Sequence, residues 1–491
     1  MSIQTEVPEI GTTGLLRFAW RQLTSMRTAL ILLILLGLAS IPGSLLPQRS
    51  QNPIAVRQYF IDSPQLARWI DRFAGFTVYS SPWFSAIYIL LFISLIGCVL
   101  PRTVEHFKAM RALPPATPRN LSRMESFESF EATGSEFETG KAWLKSKRFR
   151  IRSEDNSISA EKGYLRETGN LLFHLSLILI LVGVSVGSLF GMRGEAIVNQ
   201  GERFIGVPTS YDTLTFGKLV NENRLQPFVI EVQKFEAEYD LKTNAPLDYT
   251  ATVKVTNAGE TDSEVKSLKV NSPLTFGNTR VYLQANGYSP IVTVRDAIGQ
   301  VSFQGPVPFL PQDGNLRSIG SIKVPDMQPQ LGFVSTFLPT YSRSESDGGI
   351  SVFPSALNPR LLFSIWAGDL GLDSGKPQSV YRIDTSNMER IELDSLSPGE
   401  TFTFDEGSIT FEALVPWINL QIVDDPGKAY ALYGAIAAIL GLLASLFGRR
   451  RRIWIRITDS GVVELAGLAK NGAPGLADEI SELVLAMRKE K

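Results

Sequence analysis

Glu167-Thr-Gly-Asn-Leu-Leu-Phe-His174-Leu-Ser-Leu-Ile-Leu-Ile-Leu-Val-Gly-Val-Ser-Val-Gly-Ser-Leu-Phe-Gly-Met-Arg193 decides the architecture of this chain. Between the glutamate and the arginine stand 25 residues without a Lys, Arg, Asp or Glu. A helix rising 1.5 Å per residue crosses a bilayer in about 20 apolar residues, so this stretch reads as a membrane span. The same test finds three more gaps: 21 residues between Arg27 and Arg49, 29 between Arg72 and Arg102, and 20 between Lys428 and Arg449. Their apolar cores are 29–46, 84–100, 171–190 and 429–447. Four spans follow. A cleaved signal peptide is the competing reading of the first gap, but 27 residues precede its apolar run and no small-residue cleavage site follows it.

Positive charge stays on the cytoplasmic side. Residues 1–27 carry Arg17, Arg21 and Arg27; 47–82 carry four Arg; 101–170 carry 13 Lys and Arg; the tail opens with Arg449–Arg452. The expected layout is a cytoplasmic N-terminus (1–27), first span (28–47), outer loop (48–82), second span (83–101), cytoplasmic loop (102–169), third span (170–191), extracytoplasmic domain (192–427), fourth span (428–448) and cytoplasmic tail (449–491).

The outer segment is large enough to bury its own core. Ala251-Thr-Val-Lys-Val-Thr256 alternates polar and apolar, and Glu264–Val270, Arg280–Leu283 and Ile291–Val294 continue the pattern between Gly and Asn punctuation. A mainly antiparallel, sandwich-like β domain is expected. In the cytoplasmic loop a helix is expected over 136–145, with strands on either side of Glu154-Asp-Asn156. In the tail a hairpin turns at Asp459-Ser-Gly461, followed by a helical stripe at 480, 483, 484 and 487. Arg111–Arg119 contains three prolines and reads as a stiff linker. The fold class is thus four transmembrane helices, a large extracytoplasmic β domain and small cytoplasmic α/β pieces.

The chemistry on offer is sparse. A net charge of -1 argues against a nucleic-acid binder. The single cysteine, Cys98, excludes a disulfide framework and a Cys-x-x-Cys pair, and its place at the end of an apolar helix reads as packing. There is no Gly-x-Ser-x-Gly, no phosphate-cradling loop, no His-Glu-x-x-His and no Cys-x-x-Cys-His. The seven tryptophans are scattered. No catalytic residue is assigned. Small residues repeat every four positions at Gly183, Gly187 and Gly191, and at Ala437, Gly441 and Ser445, a spacing that lets membrane helices approach closely.

His174 stands out. It lies about one turn inside the apolar stretch, and an ionisable side chain in a membrane marks a functional site by default. Neutral imidazole is a good axial ligand for haem iron. Asn170 and Glu167, at i-4 and i-7, share its helix face and are candidates to orient the ring. Periodicity leaves a second reading equally open: an interfacial histidine bonded to another helix. His106, just past the second span, reads first as a solvated juxtamembrane residue, although two histidines near one membrane face allow a bis-His site. Four spans with one histidine and no other midplane charge offer little for a solute path.

Several stretches together resemble the ResB (also called CcsB) family, bacterial plasma-membrane branch. They are Ser25-Met-Arg-Thr-Ala-Leu30 leading to Ile41-Pro-Gly-Ser-Leu-Leu-Pro-Gln48, then Val78-Tyr-Ser-Ser-Pro-Trp-Phe84 and Cys98-Val-Leu-Pro-Arg102. Glu161-Lys-Gly-Tyr164 with Gly169-Asn-Leu-Leu-Phe-His174 opens the third span. Gly368-Asp-Leu-Gly-Leu-Asp-Ser-Gly375, Pro377-Gln-Ser-Val-Tyr381 and Asp425-Pro-Gly427 follow. The order and spacing carry the resemblance over nearly the whole chain. It implies a multi-pass plasma-membrane subunit of a cytochrome c maturation complex that handles haem b. With a ResC/CcsA-type membrane partner, and downstream of thiol-reducing proteins, such a subunit brings haem to apocytochrome c for covalent attachment. The resemblance makes His174 the family's proposed haem ligand, the chain's only assigned contact to iron. The alternative is a scaffold whose β domain docks apocytochrome and partner without binding haem.

Overall fold

The computed structural model describes residues 11–49, 51–124, 126–221, 225–257, 259–260, 262–344, 348–372, 379–447, 450–469 and 475–488. Residues 373–378, which fall within two of the stretches quoted for the family resemblance, and Arg449 of the tail's arginine run lie outside them. The chain divides into two compact units, 1–184 with 429–491, and 185–428.

Four helices are long and apolar enough to cross a membrane: Met26–Leu45, Pro82–Arg111, Leu165–Phe190 and Lys428–Phe447. Ser25 caps the first, its Oγ accepting from Thr28 N at 3.2 Å. Ser81 caps the second in the same way through Phe84 N, with Pro82 at the first helical position, where its missing N–H is not needed. The second helix runs well beyond its apolar stretch, and Arg102, His106, Lys108 and Arg111 ride on its last turns. A helix at Thr12–Leu23 precedes the first span. The second span packs against the break between them, where Ser94 Oγ donates to Leu23 O (2.6 Å) and Cys98 Sγ to Thr24 O (2.6 Å). Between the first two spans, short helices at Pro53–Asp62 and Pro64–Arg72 fold over Val56, Ala67 and Phe76. Buried Gln48 pins this cap by accepting from Val78 N and donating to Gly75 O.

The loop after the second span and the C-terminal tail build one α/β domain. Its five-stranded antiparallel sheet runs in the order Ser126–Glu131, Val462–Ala469, Arg451–Ile457, Ser157–Lys162, Arg150–Glu154. Helices Glu136–Ser146 and Leu476–Arg488 cover one face, enclosing Leu144, Ile158, Ala160, Ile453, Ile455, Ile480 and Leu483. Neither piece buries its apolar face alone. Each provides a hairpin, and the shared sheet supplies what both lack.

In the other unit the strands pair antiparallel among the described residues, apart from one isolated parallel bridge between Thr340 and Asn358. The sequence reads Arg280–Leu283 and Ile291–Val294 as separate strands; they are parts of one 18-residue strand, Thr279–Asp296. It pairs along its whole length with a second 18-residue strand, Gly407–Asp424. This ribbon serves two hydrophobic cores rather than one sandwich. Val281, Leu283, Ile418, Leu420 and Ile422 enter the first; Val292, Val294, Ile409 and Phe411 enter the second. The register skips Gln284 on one strand and Glu412 on the other. Along the chain each extra residue resets the alternation from odd to even inward positions, between 283 and 292 on the first strand and between 411 and 418 on the second. At the waist Trp417, 2% exposed, donates Nε1 to Tyr288 O (3.1 Å) and Phe309 O (3.2 Å).

Candidate haem-ligating helix and polar cavity

The third span meets the fourth through small residues, but not at the spacing of four that the sequence displays. Gly169, Ser176 and Gly183 are the buried residues of the third span, and Gly434 and Gly441 those of the fourth. The repeat is seven, the spacing that keeps one face of a helix against a neighbour. A Cβ at Gly441 would lie 2.6 Å from Phe173 N, and one at Gly169 2.5 Å from Ser445 N. Gly187 and Gly191 serve the exit of the helix instead: Gly187 sits against the Asp425 carboxylate, and Gly191 N donates to Gly187 O at 2.8 Å.

With this face closed, His174 sits beside the seam, half-buried and edge-on to Phe173, with ring centroids 5.3 Å apart. Its Nδ1 lies 2.7 Å from the main-chain carbonyl of Asn170. A carbonyl only accepts, so Nδ1 carries the proton, and the lone pair of the neutral ring is on Nε2. Locking one ring nitrogen onto a backbone carbonyl is the usual way a protein orients a histidine ligand. It is therefore the Asn170 main chain, not its amide side chain, that orients the ring. Glu167 does not touch His174. The donor set suits a single axial bond to porphyrin iron; among the described residues no three His, Cys, Asp or Glu side chains gather into a metal site.

His106, read from the sequence as solvated, is 7% exposed. The second helix carries it past the apolar stretch and against the start of the third. There Nε2 shares a hydrogen bond with Thr168 Oγ1 (2.8 Å), and Nδ1 faces Glu167 Oε2 at 3.5 Å. Nε2 is thus engaged by Thr168, and Nδ1 faces the Glu167 carboxylate.

Glu167 belongs to a charged network that anchors the third span to the α/β domain. Arg450, three residues past Phe447 at the end of the fourth span, donates from Nη1 to Glu167 Oε1 (2.8 Å) and from Nε to Glu161 Oε1 (2.5 Å). Arg452, directly across the sheet from Glu161, donates to the same oxygen at 2.9 Å, and Tyr164 OH donates to Oε2 at 2.6 Å. Glu161 is 1% exposed. Burial raises its pKa, but the hydrogen bonds from Arg450, Tyr164 and Arg452 outweigh it and hold the carboxyl below its usual range. Burial and the neighbouring carboxylate push the Tyr164 phenol up.

A cavity of about 560 Å³ opens where the second, third and fourth spans meet this network. Its lining includes His106, Glu167 and Asn170, three of the four residues singled out in the sequence, together with Arg102, Arg166 and Arg450. His174, one turn deeper than Asn170, is not in the lining. The sequence reading missed the arginines. A signal was present: Arg166, Asn170 and His174 stand at i, i+4 and i+8, one stripe of the helix.

The ResB-like family model matches residues 26–481. Similar proteins include the cytochrome c biogenesis protein CcsB of Prochlorococcus marinus strain NATL1A, 28% identical over 478 residues, covering 94% of this chain and 96% of that protein. CcsB of Synechococcus sp. strain WH7803 is 26% identical over 477 residues, with the same coverage. CcsB of Paulinella chromatophora is 24% identical over 487 residues, covering 94% and 97%. A match spanning the four membrane helices, the β domain and the α/β domain alike shows that this chain belongs to the ResB-like family.

Proposed function

We propose that this protein acts in cytochrome c biogenesis as the haem-handling membrane subunit of a maturation complex. Its family, and the shared name of its relatives, support the biogenesis role. The observation that carries the haem role is the His174 tautomer: Nδ1–H bonded to the Asn170 carbonyl, Nε2 left as the ligand. In this reading haem b is cargo. It enters from the cytoplasmic side and is held through iron by His174. It then passes, with a ResC/CcsA-type membrane partner, to an apocytochrome c kept reduced by thiol-reducing proteins. Imidazole ligation tunes the iron's potential, which matters because attachment needs ferrous haem. The chain itself binds, orients and presents, and the partner completes the bond-forming site. The N- and C-termini and the α/β domain face the cytoplasm of a plasma-membrane protein, and the β domain docks apocytochrome or partner outside.

The test is the absorption spectrum of the complex co-purified from membranes, with and without His174→Ala. The expected result is loss of the haem band and of mature c-type cytochromes in the variant. Full haem retention with normal maturation overturns the ligand role and leaves a scaffold whose function resides in 192–427.

A further inference from the structure

The cavity at the mouth of the three spans holds two guanidiniums with no carboxylate against them. Among the described residues Arg166 forms no ion pair, and the polar contact of Arg102 is Nη2 on Met26 Sδ at 3.4 Å. Arg450 is consumed by Glu161 and Glu167, and Glu167 by Arg450 with His106 beside it. Counting Glu105, the unpaired charges of the lining are two cations and one anion. Asn170 and Ser445 add neutral hydrogen-bonding groups, and Leu171 an apolar wall. Such a chamber at a membrane boundary is incomplete without an anion.

Its position says which anion. Arg166 and Asn170 line the cavity, and His174 continues the same helical stripe one turn into the apolar region. Arg102 approaches from the second span, on the same face as His106 four residues on. This stripe suits a ligand that is apolar at its deep end and carries two carboxylates at its shallow end. Building on the haem reading of His174, we infer that the cavity is the porphyrin's carboxylate site, with Arg166 and Arg102 receiving the two propionates. Guanidinium and carboxylate match in planar, two-bonded geometry. The arginines then set which edge of the flat ring enters first. The carboxylates stay at the headgroup level and the iron reaches Nε2. A lipid phosphate satisfies guanidiniums equally well; its alignment with a histidine ligand would be incidental.

The test uses the full chain in nanodiscs of zwitterionic lipid, titrated with haem and, separately, with haem dimethyl ester, which keeps the iron and ring but has no carboxylates. The Soret band reports binding. Arg166→Gln and Arg102→Gln are each expected to weaken haem binding about tenfold and to leave the diester within about twofold of wild type, since only a charged hydrogen bond is lost. Arg166→Lys retains part of the affinity. His174→Ala abolishes the imidazole-ligated spectrum with both ligands. Equal weakening of haem and diester in the arginine variants, or no weakening of either, overturns the carboxylate site. So does a result in which phosphatidylglycerol, and not haem, loses its stabilising effect on the protein when the arginines are replaced. If His174→Ala keeps the ligated spectrum while the arginine variants still discriminate haem from diester, the ligand assignment falls and the carboxylate site stands. A wild-type chain that binds neither molecule overturns both.

Discussion

Replacing Glu161 by Gln isolates the charge that ties the two halves of the α/β domain together. The carboxylate is 1% exposed and takes three hydrogen bonds, from Arg450, Arg452 and Tyr164. Breaking a fully buried ion pair costs about 3–5 kcal/mol. Here the Arg450 and Arg452 side chains keep 21% and 31% exposure, and Arg450 retains Glu167, so water and a second partner absorb part of the loss. About 2 kcal/mol remains, or roughly a thirtyfold rise in the opening equilibrium. Amide hydrogen exchange of the full-length protein reads this directly in Ser157–Lys162 and Arg451–Ile457, the paired strands on either side of the network. The pH dependence has a defined sign. The folded carboxyl lies below its unfolded value of about 4.3, so its stabilisation is complete at neutral pH and disappears as pH falls below that value toward the folded one. Wild-type protection in these strands should weaken in that acid window, and the Gln variant should lack this component. Asp248→Asn, which breaks an exposed, solvent-screened pair with Lys269 in the other unit, is the control and should leave protection in these strands unchanged. Protection within twofold of wild type in Glu161→Gln would refute the reasoning.

Gly441→Leu should lower thermal stability in detergent by about 1–3 kcal/mol, because any Cβ there strikes the Phe173 backbone. Gly37→Leu, in the first span with nothing within 4 Å, should stay within about 0.5 kcal/mol of wild type, and equal behaviour of the two would disprove the helix seam. In the β domain Trp417→Ala should cost about 3–5 kcal/mol by denaturant unfolding, and Gly287→Ala should also destabilise, since its Cβ would lie 2.4 Å from the Trp417 ring. A Gly287→Ala protein as stable as wild type would show that the waist is looser than its packing implies.

Much of this molecule was legible before any fold was known. Charge-free gaps mark the four membrane helices because a bilayer excludes charge along a fixed length, a one-dimensional constraint. Alternation marks the strand at 251–256 because it has one buried face. Pairwise and long-range matters were not legible. Asn286-Gly287 looks like a hairpin turn, yet the chain runs straight through it. There the glycine serves the close approach of Trp417, which lies far along the sequence. The fours in Gly183, Gly187 and Gly191 are plain in the sequence, but the seam uses sevens, because the partner helix decides which face is covered.

The same division runs through the candidate site. His174 is conspicuous by itself, because an imidazole in an apolar run is costly and rare. Which of its nitrogens is free depends on a carbonyl one turn away. Whether His106 is wet depends on a helix that starts 59 residues later. The arginine partners of Glu161 and Glu167, Arg450 and Arg452, come from a segment nearly 300 residues later in the chain, with the β domain between. Sequence alone determined what must avoid water and over what length, since solvation acts on each segment separately. Tertiary structure alone decided which polar groups share a cavity and which cations are left unpaired, since those depend on distances between segments that the chain order does not encode.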